Sequence, residues 1–176
     1  MTVVECLERE GVAHRDIKPD NIGIRQGPGK RLTLTIFDFS LADVSADDLA
    51  AGTRSYLDPF LRKRGQWDGY AERYAAGLTL SEMATGMLPS WGDGQSDPAT
   101  LNAEIDLAPE RLETSIREAA LGFFAKALAR DHRRRFDNAE QMLLAWRKVF
   151  DGVTRSTRPA TAHPRQGRLA FEPPAA

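Results

Sequence analysis

The chain has 176 residues, 41% of them hydrophobic and 28% charged, and its 24 basic and 25 acidic side chains leave a formal net charge of −1. This composition reads as a soluble globular protein of about one domain, and near-neutrality excludes a global field drawing it to nucleic acid or an anionic membrane. The single cysteine, Cys6, excludes an internal disulfide and a multi-cysteine metal site, and it is expected as a small buried apolar residue.

The opening MTVVECLERE carries three glutamates where a secretion signal needs a basic flank and an apolar run, and nothing downstream approaches the roughly 18 apolar residues of a membrane span. A cytoplasmic protein is expected. VAHRDIKPDNIGI, residues 12–24, then concentrates His14, Arg15, Asp16, Lys18, Asp20 and Asn21. NIGIR and the β-branched RLTLTIFDF, residues 31–39, flank QGPGK, a pattern that predicts a two-stranded hairpin. GPGK lacks the spacing of a phosphate loop and no helix follows it. Asp16, Lys18 and Asn21 precede the first strand and Asp38 ends the second, so all four are expected on one edge of the hairpin. Two carboxylates, an amide and an ammonium suit phosphoryl transfer: oxygen ligands take Mg²⁺, an ammonium offsets phosphate charge, and a carboxylate accepts the attacking hydroxyl's proton.

YAERYAAGLTLSEMATGM, residues 70–87, is apolar or small on nearly every side, predicting a helix enclosed by others. WGDGQSDPA, residues 91–99, reads as a polar loop. In TSIREAALGFFAKALAR an apolar stripe follows a Ser115–Glu118 capping pattern, and in DNAEQMLLAWRKVF the stripe Ala139, Met142, Leu143, Trp146, Val149 and Phe150 follows Asp137–Glu140; both predict amphipathic helices. Arg133 to Arg135 are expected to be structural or solvated, and Trp67, Trp91 and Trp146 to be packing residues. From Asp151 onward four prolines and four arginines dilute three large apolar residues, too few to offset the entropy of ordering. Residues 1–150 are expected to form the ordered domain and 151–176 a disordered Pro/Arg-rich tail.

HRDIKPDN resembles the catalytic loop of the eukaryotic-type protein kinases, and DFS, residues 38–40, resembles their metal-binding triplet. In the same order, AGTRSYLDPF is similar to the end of the activation segment, ERYAAGLTLSEMATGMLP to the central helix of the large lobe, and LARDHRRRF to the loop before its last helix. YLDPF, ERYAAGLTLSEMATG and WGDGQSDPA also resemble the kinases of bacterial phage-growth-limitation systems. The resemblance implies a mainly α, α+β kinase large lobe: a helical bundle around a buried central helix, with a small hairpin carrying the catalytic and metal-binding loops.

It further implies a protein serine/threonine kinase using ATP and Mg²⁺. Asp16 would be the catalytic base and Lys18 would contact the transferred phosphate. Asn21 and Asp38 would hold the metal, and His14 would pack under the loop. Lys18 with Gly52 and Thr53 resembles serine/threonine kinases rather than tyrosine kinases, so the implied acceptor is a Ser or Thr hydroxyl on a protein. Arg15 would pair with an anion in the activation segment, where Asp47 and Asp48 are the candidates in place of a phosphate. No nucleic-acid or membrane partner is expected.

The chain departs from the family in ways that carry their own expectations. Met1 falls within the helix before the catalytic loop, so a small lobe in cis or trans is implied. Ser40 replaces a glycine, Gly23 a large apolar residue under the adenine, and Glu72 an aspartate that braces the catalytic loop. Phe60 replaces the acid that pairs with Arg135, leaving either an exposed Arg135 or another acid such as Asp58 to serve it. The alternatives are a catalytically weak lobe acting as a protein-interaction module and, against Lys18 and GTRSY, a small-molecule phosphotransferase.

Overall fold

The computed structural model describes residues 1–153 apart from 28, 30 and 31. The expected tail beyond 153 and part of the hairpin turn lie outside the described residues. The architecture is mainly helical with two small antiparallel sheets. Its axis is helix α2, Gly69–Thr85, after α1 at Thr2–Arg9. α2 buries Ala71 to Thr79 without a break, as expected of a helix with no polar face. Asp68 caps its start by accepting the Ala71 N–H, and Gly86 ends it at a φ of 73° with its N–H on the Glu82 carbonyl, a left-handed position that favours glycine. At Gly77 an added Cβ would stand 3.1 Å from Leu128 and 3.2 Å from Ala127, so the missing side chain sets how closely the neighbouring helix approaches.

That neighbour, α3, spans Arg117–Ala127, and α4 spans Ala139–Lys148. Together with α2 they enclose Tyr74, Leu78, Phe123, Phe124, Phe136 and Met142. Both expected caps are displaced. Ser115 bonds Glu113 instead of capping α3, whose first turn is left to Ile116. α4 is capped one residue later than expected, by Asn138 on the Gln141 N–H, and Glu8 of α1 accepts the Ala139 N–H at 3.2 Å. The α4 stripe holds at Ala139, Met142 and Val149, whereas Phe150 is exposed and meets Trp146 edge-on. Cys6 is exposed, contrary to expectation, because α1 buries only Val4 and turns Cys6 toward Arg9 and solvent.

The hairpin forms between β1, Ile22–Gln26, and β2, Leu32–Ile36, in antiparallel register with Ile22 opposite Ile36. A second pair was not foreseen: β3, Ser90–Trp91, lies against β4, Ile105–Asp106. It brings Trp91 into the core, where its indole N–H bonds the Tyr74 hydroxyl at 3.1 Å.

Asp58 serves Arg135. The guanidinium donates to both Asp58 oxygens, at 2.6 and 3.1 Å, with both side chains fully buried. Arg64 adds a 2.7 Å contact to Asp58 and bridges to Asp68 at 2.6 Å, tying the pair to the α2 cap. Burial pushes the Asp58 carboxyl up, but Arg135 and Arg64 outweigh it and hold it below its ordinary value. Phe60, two residues on, is buried edge-on to Trp91 with the Arg130 guanidinium 4.9 Å from its ring. Arg130 in turn donates to the carbonyls of Pro98 and Ala103, anchoring the polar loop. Replacing Asp58 with Ala leaves Arg135 buried without its counter-charge, and urea denaturation is expected to show a loss of roughly 3 to 5 kcal/mol.

Candidate active site

The loop between α1 and β1 reverses direction at Arg15, which has a φ of 67°, a left-handed conformation that costs a non-glycine residue about 1 to 2 kcal/mol. Three contacts impose it. The Arg15 N–H donates to Glu72 Oε1 of α2 at 2.7 Å. Gly52 lies so close that a Cβ there would be 2.5 Å from the Arg15 carbonyl oxygen. His14, fully buried, donates from Nε2 to the Phe37 carbonyl at 3.0 Å and accepts the Asp16 N–H on Nδ1 at 3.3 Å, which requires the tautomer with its proton on Nε2.

This reversal presents Asp16 to its partners. Lys18 Nζ donates to Asp16 Oδ2 at 2.7 Å, and Asn21 Nδ2 reaches the same oxygen at 3.0 Å. The Thr53 N–H donates to Oδ1 at 2.9 Å, while the Thr53 hydroxyl takes a 2.6 Å contact from Lys18. Asp16, Lys18, Asn21 and Thr53 are therefore brought together. Partial burial pushes the Asp16 carboxyl up, but hydrogen bonds from Lys18 and Thr53 outweigh it and lower the pKa. The carboxylate stays ionised at neutral pH, with a free lone pair to accept a proton.

Asp38 lies two residues after β2, exposed and left-handed at a φ of 65°. It joins none of those hydrogen bonds; Oδ1 accepts the Ser40 N–H at 3.3 Å, which lowers its pKa. The strand ladder sets it beside the loop, because the Phe37 N–H bonds the Asn21 carbonyl at 3.0 Å. Strain falls on Asp38 and not on Ser40, so serine is accommodated in the triplet. At Gly23 an added Cβ would meet the Phe37 ring at an ordinary 3.5 Å, so glycine there is not a steric necessity.

The donor set fits a hard cation. Asn21 spends its amide nitrogen on the Asp16 carbonyl and carboxylate, so its side-chain oxygen and the exposed Asp38 carboxylate remain as oxygen donors. Among the described residues no three His, Cys, Asp or Glu side chains cluster as a metal cage. Mg²⁺ suits such a site, since it commonly takes one or two protein oxygens and completes its shell with water and phosphate.

The expected pairing of Arg15 with Asp47 or Asp48 is not found. Arg15 Nη1 donates to the Ser45 carbonyl at 2.7 Å and the guanidinium stands 5.4 Å from the Trp67 ring. A turn at 45–48 presents that carbonyl and directs Asp48 to the Ala50 N–H, with both acids exposed. Glu72 does brace the loop. Its buried carboxyl also accepts the Trp67 indole N–H at 3.2 Å, and burial raises its pKa to about 7. Trp67 was expected only to pack, and nothing in the sequence marks its tie to Glu72.

Residues 1–146 match the family model described as protein kinase domain. A Streptomyces coelicolor protein named Probable kinase PglW is 44% identical over 169 residues, 89% of this chain and 11% of that protein. Probable serine/threonine-protein kinase PknB of Bifidobacterium longum is 31% identical over 146 residues, 80% of this chain and 21% of that protein. Serine/threonine-protein kinases PknA of Corynebacterium glutamicum is 30% identical over 148 residues, 81% of this chain and 30% of that protein. The chain spans less than a third of the length of each of these relatives. The match over residues 1–146 and the bacterial relatives show that the chain belongs to the protein kinase domain family.

Proposed function

We propose that the chain is the large lobe of an ATP-dependent bacterial protein serine/threonine kinase, acting in the cytoplasm with a small lobe supplied in cis or in trans. The observation that carries this is the ionised Asp16 held by Lys18, Asn21 and Thr53 within 3.0 Å. Mg²⁺-bound ATP, which Asn21 and Asp38 would hold through the metal, supplies the phosphoryl group. Asp16 orients the Ser or Thr hydroxyl of a protein acceptor and takes its proton as the new oxygen–phosphorus bond forms and the bond from the γ-phosphorus to the β–γ bridging oxygen breaks, releasing ADP. Lys18, held on Asp16 and Thr53, would offset negative charge where it develops on the transferred phosphate. Thr53 fixes the distance between those two side chains.

Two measurements test this. Mg²⁺ and ATP together, at about ten times the dissociation constant, are expected to raise the melting temperature by roughly 3 to 5 °C. The shift shrinks in Asp38→Ala, and its absence from the parent chain would count against nucleotide binding. With a small lobe present, Asp16→Asn is expected to lower phosphate transfer to a protein acceptor by about 10²- to 10⁴-fold at an unchanged fold by circular dichroism. Equal transfer by the variant would remove Asp16 from the mechanism.

A further inference from the structure

The segment 44–53 is held by the body of the lobe at both ends and in the middle. Ser45 and Ala46 offer their carbonyls to Arg15 Nη1 at 2.7 Å and to the Trp67 N–H at 2.8 Å, and the Thr53 N–H closes on Asp16. Between these points Leu49 packs on an apolar cluster of Leu61, Trp67 and Ala71. Ser45 is the only hydroxyl between Ser40 and Gly52. It is exposed, its Oγ accepts the Asp47 N–H at 3.4 Å, and Asp43, Asp47 and Asp48 lie within three residues of it in the sequence. The segment is held at these points without a charge on Ser45, although Arg15 Nε is buried with no hydrogen-bond partner among the described residues.

Trp67 is common to these contacts. Its backbone N–H holds Ala46, its ring belongs to the cluster on which Leu49 packs and stands under the Arg15 guanidinium, and its indole N–H bonds the Glu72 carboxyl that fixes the Arg15 N–H. We propose that Trp67 is a positioning residue that keeps the segment 44–53 and the catalytic loop in register with Ser45 unmodified. This deepens the kinase assignment, because the group being positioned is Asp16.

The coupling runs through Glu72. His14 and Arg15 of the catalytic loop act on its charge, and Glu8 of α1 and Asp68 at the α2 cap line the same cavity of about 300 Å³ with Arg15 and Trp67. The folded carboxyl titrates near 7, above its ordinary 4.5. The native state therefore binds more protons between those values, and the stability from this group, full below 4.5, falls as pH rises through 7. Glu72→Gln is expected to abolish that fall.

The test uses the chain with Ser45 confirmed unphosphorylated by mass, without nucleotide. Hydrogen exchange across 44–53 is expected to be at least ten times slower than in an unstructured peptide, and unchanged in Ser45→Ala and Ser45→Glu. Trp67→Phe, which keeps a ring and loses the N–H, is expected to accelerate it, and Trp67→Leu more so. In the intact chain the indole N–H resonance that vanishes in Trp67→Phe is expected to shift with a midpoint near pH 7, and to stay flat in Glu72→Gln. Mere packing would leave that resonance flat in both. Free exchange across 44–53 that only Ser45→Glu suppresses, or a flat indole resonance from pH 5 to 9, overturns the proposal even if a tryptophan variant fails to fold. None of these readouts needs ATP or an acceptor, so a failure of phosphoryl transfer strikes the proposed function and leaves them standing.

Discussion

The site depends on one hydrogen bond, from the Arg15 backbone N–H to the buried Glu72 carboxyl. Without it the left-handed backbone at Arg15 keeps only the close approach of Gly52 and the His14 bonds, and the next residue, Asp16, loses part of its bearing on Lys18, Asn21 and Thr53. The acceptor stands on α2, the helix with the fewest exposed positions in the lobe, so loop geometry is referred to the most deeply buried helix. An interior carboxyl at such a point is costly, and two N–H donors, from Arg15 and Trp67, repay part of that cost. Stability is traded for placement.

Much of this was legible in the residue order. The central helix announced itself by lacking a polar side, the hairpin by β-branched residues around a glycine turn, and the cluster of Asp16, Lys18 and Asn21 by its position before the first strand. Helix ends were less legible, because a Ser or Asp in a capping pattern competes with its neighbours: Glu113 captured Ser115, and Asn138 took the place of Asp137. The Arg15 partner was misread for a related reason. Asp47 and Asp48 have the right charge, but only three dimensions show that a backbone carbonyl reaches the guanidinium first. β3 and β4 are two residues each, too short to leave a period in the sequence.

Trp67 shows a further limit. Composition marks a tryptophan as apolar bulk, and Trp91 and Trp146 behave mostly in that way. A single indole N–H distinguishes a packing residue from one that couples three segments, and its direction follows from the fold of residues far apart in sequence.

The placement of the acid at Asp58, with Phe60 two residues later, bears on how such a lobe can change over generations. Arg135 needs one negative partner, and Arg130 needs the aromatic faces of Phe60 and Trp91. Moving the charge from one side of Pro59 to the other passes through a form in which Arg135 has either no partner or two competing ones, and Arg130 loses a face. Asp58, Phe60, Arg64 and Arg130 are therefore bound into one set of contacts, in which a change at one position asks for a change at another.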